Sequence, residues 1–246
     1  MEASGPNDGP APLAGLFVTG TDTGVGKTFV TAAVARLLCR QGRDVAVCKP
    51  VATGALAGED GWISEDTRLL AEAAGRPGQW RRITPWAFPE AVAPPVAARW
   101  HGVTLTLDEM AAAVRALWQA GSAVLVEGVG GLLCPLTERG TVADLAAALR
   151  LPLVVVTRRG LGTLNHTLLT LEAARTRGLR IAGIVVNETA RETGPACETN
   201  IAELLRLVDV PMLAAVPFQA GGCPWDCSEL ARVDWWRLCF SLTLPE

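Results

Sequence analysis

The sequence predicts an α/β domain, a mostly parallel β-sheet with helices on both faces. Three observations predict it. Short apolar runs alternate along the chain with stretches of helical spacing, the order that strand–helix repeats require. The runs are continuous rather than interleaved with polar residues, as in strands covered on both faces. The first run passes through a glycine-rich loop into a helix, which marks the ligand-binding end of such a sheet.

That first strand is Leu16-Phe17-Val18, within LFVTGTDTGVGKT at 16–28. The loop closes in Gly26-Lys27-Thr28. Beyond it Val30, Ala33, Val34, Leu37 and Leu38 share one helical face, and Gly42 is the stop. Backbone N–H groups at such a helix start, with the helix dipole, favour an anion. Lys27 can reach the β- and γ-phosphates as a point charge, and Thr28 can place its hydroxyl on Mg²⁺. The sheet is therefore of the P-loop NTPase-like kind. Gly20 has five residues before Gly26 rather than four; Thr21 stands where the first glycine is expected, and Gly24 adds freedom inside the loop.

Further elements follow in order. Residues 44–50 read as a strand stopped by Pro50, and 51–54 as the loop at its end. Ser64 with Thr67 opens a short helix that includes Asp66. Residues 75–100, rich in Pro and Trp, read as an ordered insertion with buried aromatics. Helix is predicted over 107–120, ended by Gly121. Strand 123–126 ends in Glu127 and a glycine-rich turn. Thr141 and Asp144 form a capping-box pattern. Then come strand 153–156, helix 164–177, strand 181–186 delivering Asn187, helix 198–208 and strand 212–216, stopped by Pro217.

The carboxyl ends of these strands are polar for so apolar a chain, and ligands bind there in open parallel sheets. Glu127 closes an apolar strand, where a carboxylate can hold Mg²⁺ or stay a surface acid. Asp66, in a helix's first turn, is either a dipole partner or a metal ligand. Lys49 is either a solvated loop lysine or a second cation for a transferred phosphoryl group. His166 receives no role. Trp235 and Trp236 read as core or interface.

Composition narrows the function class. Acidic residues outnumber basic ones, 25 to 22, for a net charge of -3, and no basic stripe suggests nucleic acid. No apolar run reaches the length of a membrane span, and the N-terminus lacks a secretory pattern. The seven cysteines are odd in number and scattered, which suits reduced thiols in the cytoplasm. Cys223 and Cys227 are spaced so that a metal site is possible, but no second Cys or His pair follows them, which disfavours it. Residues 1–13 read as a mobile tail and 14–246 as a single domain.

With these residues in place, the chain resembles the dethiobiotin synthetase family. The matching segments are VTGTDTGVGKT, CKPVATG, ED before TRLL, LVEGVGG, LGTLNH, VVN and VPF. The five-residue glycine spacing is itself a mark of that family. The resemblance implies an ATP- and Mg²⁺-dependent ligase, a cytoplasmic homodimer of biotin biosynthesis. It implies a substrate, 7,8-diaminononanoate, that takes up CO2 as a carbamate and closes a ureido ring. By matched position it implies catalytic roles for Lys49 and Lys27, and metal ligation by Thr28, Asp66 and Glu127. It places the nucleotide on Gly24, Val25, Gly26, Lys27, Thr28 and Phe29, with Asp66 and Glu127 and the Gly128-Val129-Gly130 turn. Asn187, Glu188, Pro217, Phe218 and Gln219 fall on the adenine side. Thr53 is implied as a substrate contact. Gly162, Thr163, Leu164 and Asn165 are implied to receive the substrate's carboxylate from the neighbouring subunit. Glu188 stands where many relatives have Asp, and FQAGGCPWDC after Pro217 departs from the family pattern.

Two other readings share the motif. An amidotransferase-type cobyrinate synthase is expected to carry a glutaminase domain, for which this sequence leaves no room. A nucleotide-switched partitioning ATPase would carry a second lysine near the first glycine, where Thr21-Asp22-Thr23 stand instead.

Overall fold

β1 (Gly15–Gly20) is buried along its whole length and forms the middle of the molecule. The computed structural model describes residues 13–58, 61–191, 193–219 and 224–241. From β1 the phosphate-loop segment leads into α1 (Lys27–Arg40), then β2 (Val45–Cys48), β3 (Val51–Thr53) and the hairpin β4 (Leu56–Gly58) and β5 (Gly61–Ile63). Next are α2 (Glu65–Ala73), α3 (Trp80–Ile83), β6 (Trp86–Phe88), α4 (Pro94–Trp100) and α5 (Leu107–Arg115). The second half runs β7 (Ala123–Glu127), α6 (Val142–Leu149), β8 (Leu153–Arg158), α7 (Thr163–Thr176), β9 (Ile181–Asn187), α8 (Pro195–Leu207) and β10 (Met212–Val216). Two short helices, α9 (Ser228–Ala231) and α10 (Trp235–Phe240), follow.

Six strands pair in the order β10-β9-β8-β1-β7-β2, every pair parallel. All six carboxyl ends therefore meet at one edge. Alternate residues feed two cores, because successive strand side chains point to opposite faces. Phe17, Val124, Val126, Leu153 and Val155 pack with Met110, Leu145 and Leu171 of α5, α6 and α7. Leu16, Val18, Leu125, Val154 and Val156 pack with Val34 and Leu70 of α1 and α2, and with Trp235 of α10. Both faces are apolar, which explains why the strands read as unbroken runs.

Several boundaries differ from expectation. The helix predicted over 107–120 stops at Arg115. Local bonds close the chain there: Ser122 Oγ donates to the Gln119 carbonyl at 2.8 Å, and the Trp118 indole donates to the Ser122 carbonyl at 3.1 Å. Such side-chain bonds compete with helix. The loop expected after Pro50 contains β3, which pairs in parallel with β6, so the 75–100 insertion forms a small sheet with it. The aromatics of that insertion are not all buried: Trp100 is 63% exposed at the end of α4. The last long helix begins at Pro195, ahead of the expected 198. Residues 1–12 of the expected tail lie outside the described residues, and Leu13 is buried in the core. Cys223 also lies outside them; Cys227 is buried. Trp235 is core, and Trp236 stacks near Phe240 and under the Arg43 guanidinium. The capping box forms as predicted, Asp144 Oδ2 accepting from the Thr141 N–H at 2.7 Å. No described helix is long and apolar enough to cross a membrane.

Candidate active site

The site begins at the loop between β1 and α1. Gly26 is the residue before α1, with φ 90°, in the left-handed region. A Cβ there would lie 2.0 Å from Asn187 Nδ2, so both conformation and space demand glycine. Asn187, at the end of β9, donates from Nδ2 to the Val25 carbonyl at 3.1 Å and ties the loop to the sheet. Lys27 folds back over the loop, its Nζ donating to the Asp22 carbonyl at 2.9 Å. Burial pulls the Lys27 pKa below its usual range, against the opposing pull of Glu127 and Asp66.

A compact charged knot lies beside it. Lys49, just past β2, is buried and donates to Asp66 Oδ2 and, at 2.8 Å, to Glu127 Oε1. It is therefore no solvated loop lysine. Burial alone would lower its pKa, but the two carboxylates outweigh that and push it up to about 12. Lys49 is a permanent cation at neutral pH. Burial raises the Asp66 pKa and Lys49 more than reverses this, leaving it below the ordinary value. Asp66 sits in the first turn of α2, whose start Ser64 fixes by accepting from the Thr67 N–H at 3.1 Å. Glu127 ends β7 and is buried. Its Oε1 also accepts from Thr28 Oγ1 at 2.8 Å.

Glu127 Oε2 is buried and has no hydrogen-bond partner among the described residues. An unpaired acceptor on a buried acid costs about 1–3 kcal/mol or more. The donors at hand are a hydroxyl and two carboxylates. All are oxygen, a set that suits Mg²⁺ better than a thiophilic metal. Mg²⁺ takes one or two carboxylates and completes its shell with phosphate and water. The described residues hold no group of three or more His, Cys, Asp or Glu that would form an all-protein cage.

The residues expected on the nucleotide side converge from the other half of the sheet. Gly26, Phe29, Asn187, Glu188, Pro217, Phe218 and Gln219 line a cavity of about 180 Å³. Glu188 Oε2 accepts from the Phe218 N–H at 3.2 Å. Behind β7, Gly128 donates to the Val18 carbonyl at 2.9 Å. Val129 packs half-buried on the core, and Gly130, φ 63°, sits against Cys134.

The residues implied for the substrate are more spread. Thr53 is half-buried at the end of β3. Gly162 caps the start of α7 with φ 90°. Thr163 is fully buried, its hydroxyl donating to the Arg158 carbonyl, so it faces inward. Leu164 is half-buried and Asn165 exposed. A cleft of about 370 Å³ opens between the phosphate loop and α7, lined by Thr21 and Asp22 at one side and by Leu132, Leu133, Cys134, His166 and Leu169 elsewhere. His166, given no role from sequence, lines this cleft. Arg159, which pairs with Glu188, was also missed; nothing in its local sequence separates it from a surface arginine. Lys27 and Lys49 are the only two lysines in the chain, a concentration that would have signalled the site.

A fixed cation, a phosphate loop and an acidic pair can together bind a triphosphate and stabilise charge on a moving phosphoryl group. Comparisons with known proteins bear on the family. A family model described as an AAA domain matches residues 14–221. An ATP-dependent dethiobiotin synthetase of Anaeromyxobacter dehalogenans is 49% identical over 207 residues, spanning 84% of this chain and 91% of that one. Another, from Bacillus licheniformis, is 40% identical over 205 residues, spanning 83% and 86%. Among solved structures, the cell division ATPase MinD of Pyrococcus furiosus shares 19% identity over 92% of this chain and 97% of its own, with a TM-score of 0.51. A MinC:MinD cell division complex of Aquifex aeolicus reaches a TM-score of 0.56 at 13% identity, over 96% of this chain and 98% of that one. At such identities these two structures speak for the fold alone.

Proposed function

The chain belongs to the ATP-dependent dethiobiotin synthetase family, and from that premise we propose that ring closure takes place in the crevice around Lys27, Lys49 and Glu127. The protein is an ATP-dependent ligase of biotin biosynthesis that forms C–N bonds. Its substrates are 7,8-diaminononanoate, CO2 and ATP. One amine takes up CO2 as a carbamate. A carbamate oxygen attacks the γ-phosphorus of ATP, and ADP leaves. The second amine attacks the carbonyl carbon of the resulting anhydride, closing the ring and expelling phosphate.

The observation that carries this reading is Lys49, buried and held by both Asp66 and Glu127. A cation so fixed needs no reorganisation when charge develops on the phosphoryl group. With its pKa near 12, it serves as a charge and not as a base. Lys27 and the loop N–H groups hold the phosphates. Thr28, Asp66 and Glu127 are the residues that would hold Mg²⁺; when bound, the ion neutralises the phosphate charge and polarises the transferred group. The cavity of Phe29, Asn187, Pro217 and Phe218 takes the base. The cleft beside α7 takes the substrate's carbon chain, polar at Thr21 and Asp22, apolar along Leu132, Leu133 and Leu169.

The protein works as a cytoplasmic homodimer. Support comes from Leu161, Leu169 and Leu133, which are 83%, 60% and 47% exposed; a second subunit would cover such side chains. The α7 start of one subunit then faces its neighbour's cleft.

The test is phosphate release by the purified protein. It is expected only when ATP, Mg²⁺, CO2 and the diamine are all present, with dethiobiotin identified by mass spectrometry. Full-rate hydrolysis without the diamine would overturn the proposal in favour of a nucleotide-switched ATPase.

A further inference from the structure

Arg159 follows β8 and joins three elements beside the base cavity. Its Nη1 donates to Glu188 Oε1. Its Nε donates to the Cys197 carbonyl, in the first turn of α8, at 2.6 Å. Its own carbonyl accepts from Asn200 Nδ2 at 2.8 Å. Glu188 passes the connection on. Its N–H donates to the Val216 carbonyl at 3.0 Å, and its Oε2 accepts from the Phe218 N–H at 3.2 Å. A continuous bonded path thus runs from α8 through Arg159 and Glu188 to the loop after β10.

Two cavities share this path. Glu188 and Pro217 line both the base cavity and a neighbouring one of about 180 Å³, whereas Arg159 lines only the neighbouring one. Glu188 and Pro217 are therefore a common wall, with Arg159 behind it. A planar guanidinium can serve two acceptors in fixed directions, which a lysine cannot reproduce. Without it, the largely buried Glu188 carboxylate would lose its cation and the Phe218 amide its fixed acceptor.

We propose that Arg159 is a positioning residue for nucleotide recognition: through Glu188 and Phe218 it sets the wall of the base cavity, and so governs affinity for the nucleoside part of the triphosphate without touching it. This rests on the reading of that cavity as the seat of the base.

The experiment compares two ligands by calorimetry, a non-hydrolysable ATP analogue and inorganic tripolyphosphate. Arg159→Met is expected to weaken the analogue about five- to tenfold, the loss of one or two charge-assisted bonds, and to leave tripolyphosphate within about twofold. The KM for ATP should rise in step, with a much smaller change in kcat. Arg159→Lys should restore only part of the affinity. Glu188→Gln, nearly isosteric, should show the same split and serves if Arg159→Met does not fold. Unchanged analogue affinity in these variants, or equal loss of tripolyphosphate, would overturn the proposal. Failure of the unaltered protein to bind the analogue at all would instead sink the ATP reading of the crevice, and this proposal with it.

Discussion

At the scale of single residues, the proposed chemistry is concentrated in Lys49 and Glu127. Lys49→Ala is expected to lower kcat by about a hundredfold or more, since one preorganised charge is worth roughly 3–4 kcal/mol. Binding of an ATP analogue should change far less, because the partner charge develops only in the transition state. Equal losses in single-turnover rate and calorimetric affinity would demote Lys49 to a binding residue. The same knot imposes a pH dependence on stability. The folded pKa of Lys49, about 12, lies above the ordinary 10.5. Its stabilisation is complete below 10.5 and disappears as pH rises through about 12. Asp66 is depressed below 3.8, so its share is complete above 3.8 and is lost as pH falls through the depressed value. Lys27 shifts the opposite way to Lys49 and partly offsets the alkaline loss. Urea unfolding of Lys49→Met should therefore lack the destabilising alkaline step. Glu127→Gln tests the metal assignment: Mg²⁺ should enhance binding of the ATP analogue only at about tenfold higher concentration. Lys49 and Glu127 were legible because each ends an apolar run, where a charge has few structural reasons to be, and Lys27 because it closes the glycine loop, whereas Asp66 stood out only through the family resemblance. Arg159 was not, because its importance lies in Glu188 and Phe218, 29 and 59 positions away.

At the scale of elements, the join between β1 and α1 is the most constrained. Gly26→Ala would force a left-handed residue to carry a side chain and push Asn187 aside. Strain of about 1–2 kcal/mol is only part of the cost. Affinity for the ATP analogue should fall more than about tenfold, measured by calorimetry, and retained affinity would show that the loop can re-form around a Cβ. The glycine pattern and the helical face of α1 made this join readable from sequence. The end of α5 was not readable, because Ser122 and Trp118 close a turn where composition still favours helix. β3 was missed for a different reason. Its partner β6 lies beyond α2 and α3, and short three-residue strands leave little periodicity to detect.

At the scale of the whole molecule, the strand order explains how distant residues meet. β1 lies between β7 and β8, so the phosphate loop emerges at the sheet's centre. Acid and lysine arrive from β7 and β2 on one side, and the proposed base cavity from β9 and β10 on the other. The alternation of strands and helices predicted the class, but periodicity holds no information on the order in which the strands pair, and that order emerges only in the structure. The exposed leucines bear on the proposed dimer. Leu169→Asp should turn a dimer into monomers in sedimentation equilibrium and weaken diamine binding while sparing the ATP analogue. A monomeric unaltered protein would remove the basis for a shared site.

The lysine pair has a practical consequence. Positive charge on the outside of this protein is carried by guanidinium groups, and both ε-amines are enclosed in the crevice. Apart from the chain's own amino terminus, these are the only amines in the sequence that an acylating reagent can meet. Peptide mapping after brief acetylation should thus report on Lys27, whose pKa is lowered, and show it shielded as the ATP analogue saturates, while Lys49 stays protonated and unmodified. The protein carries its own footprinting probe, placed by composition at the proposed triphosphate site.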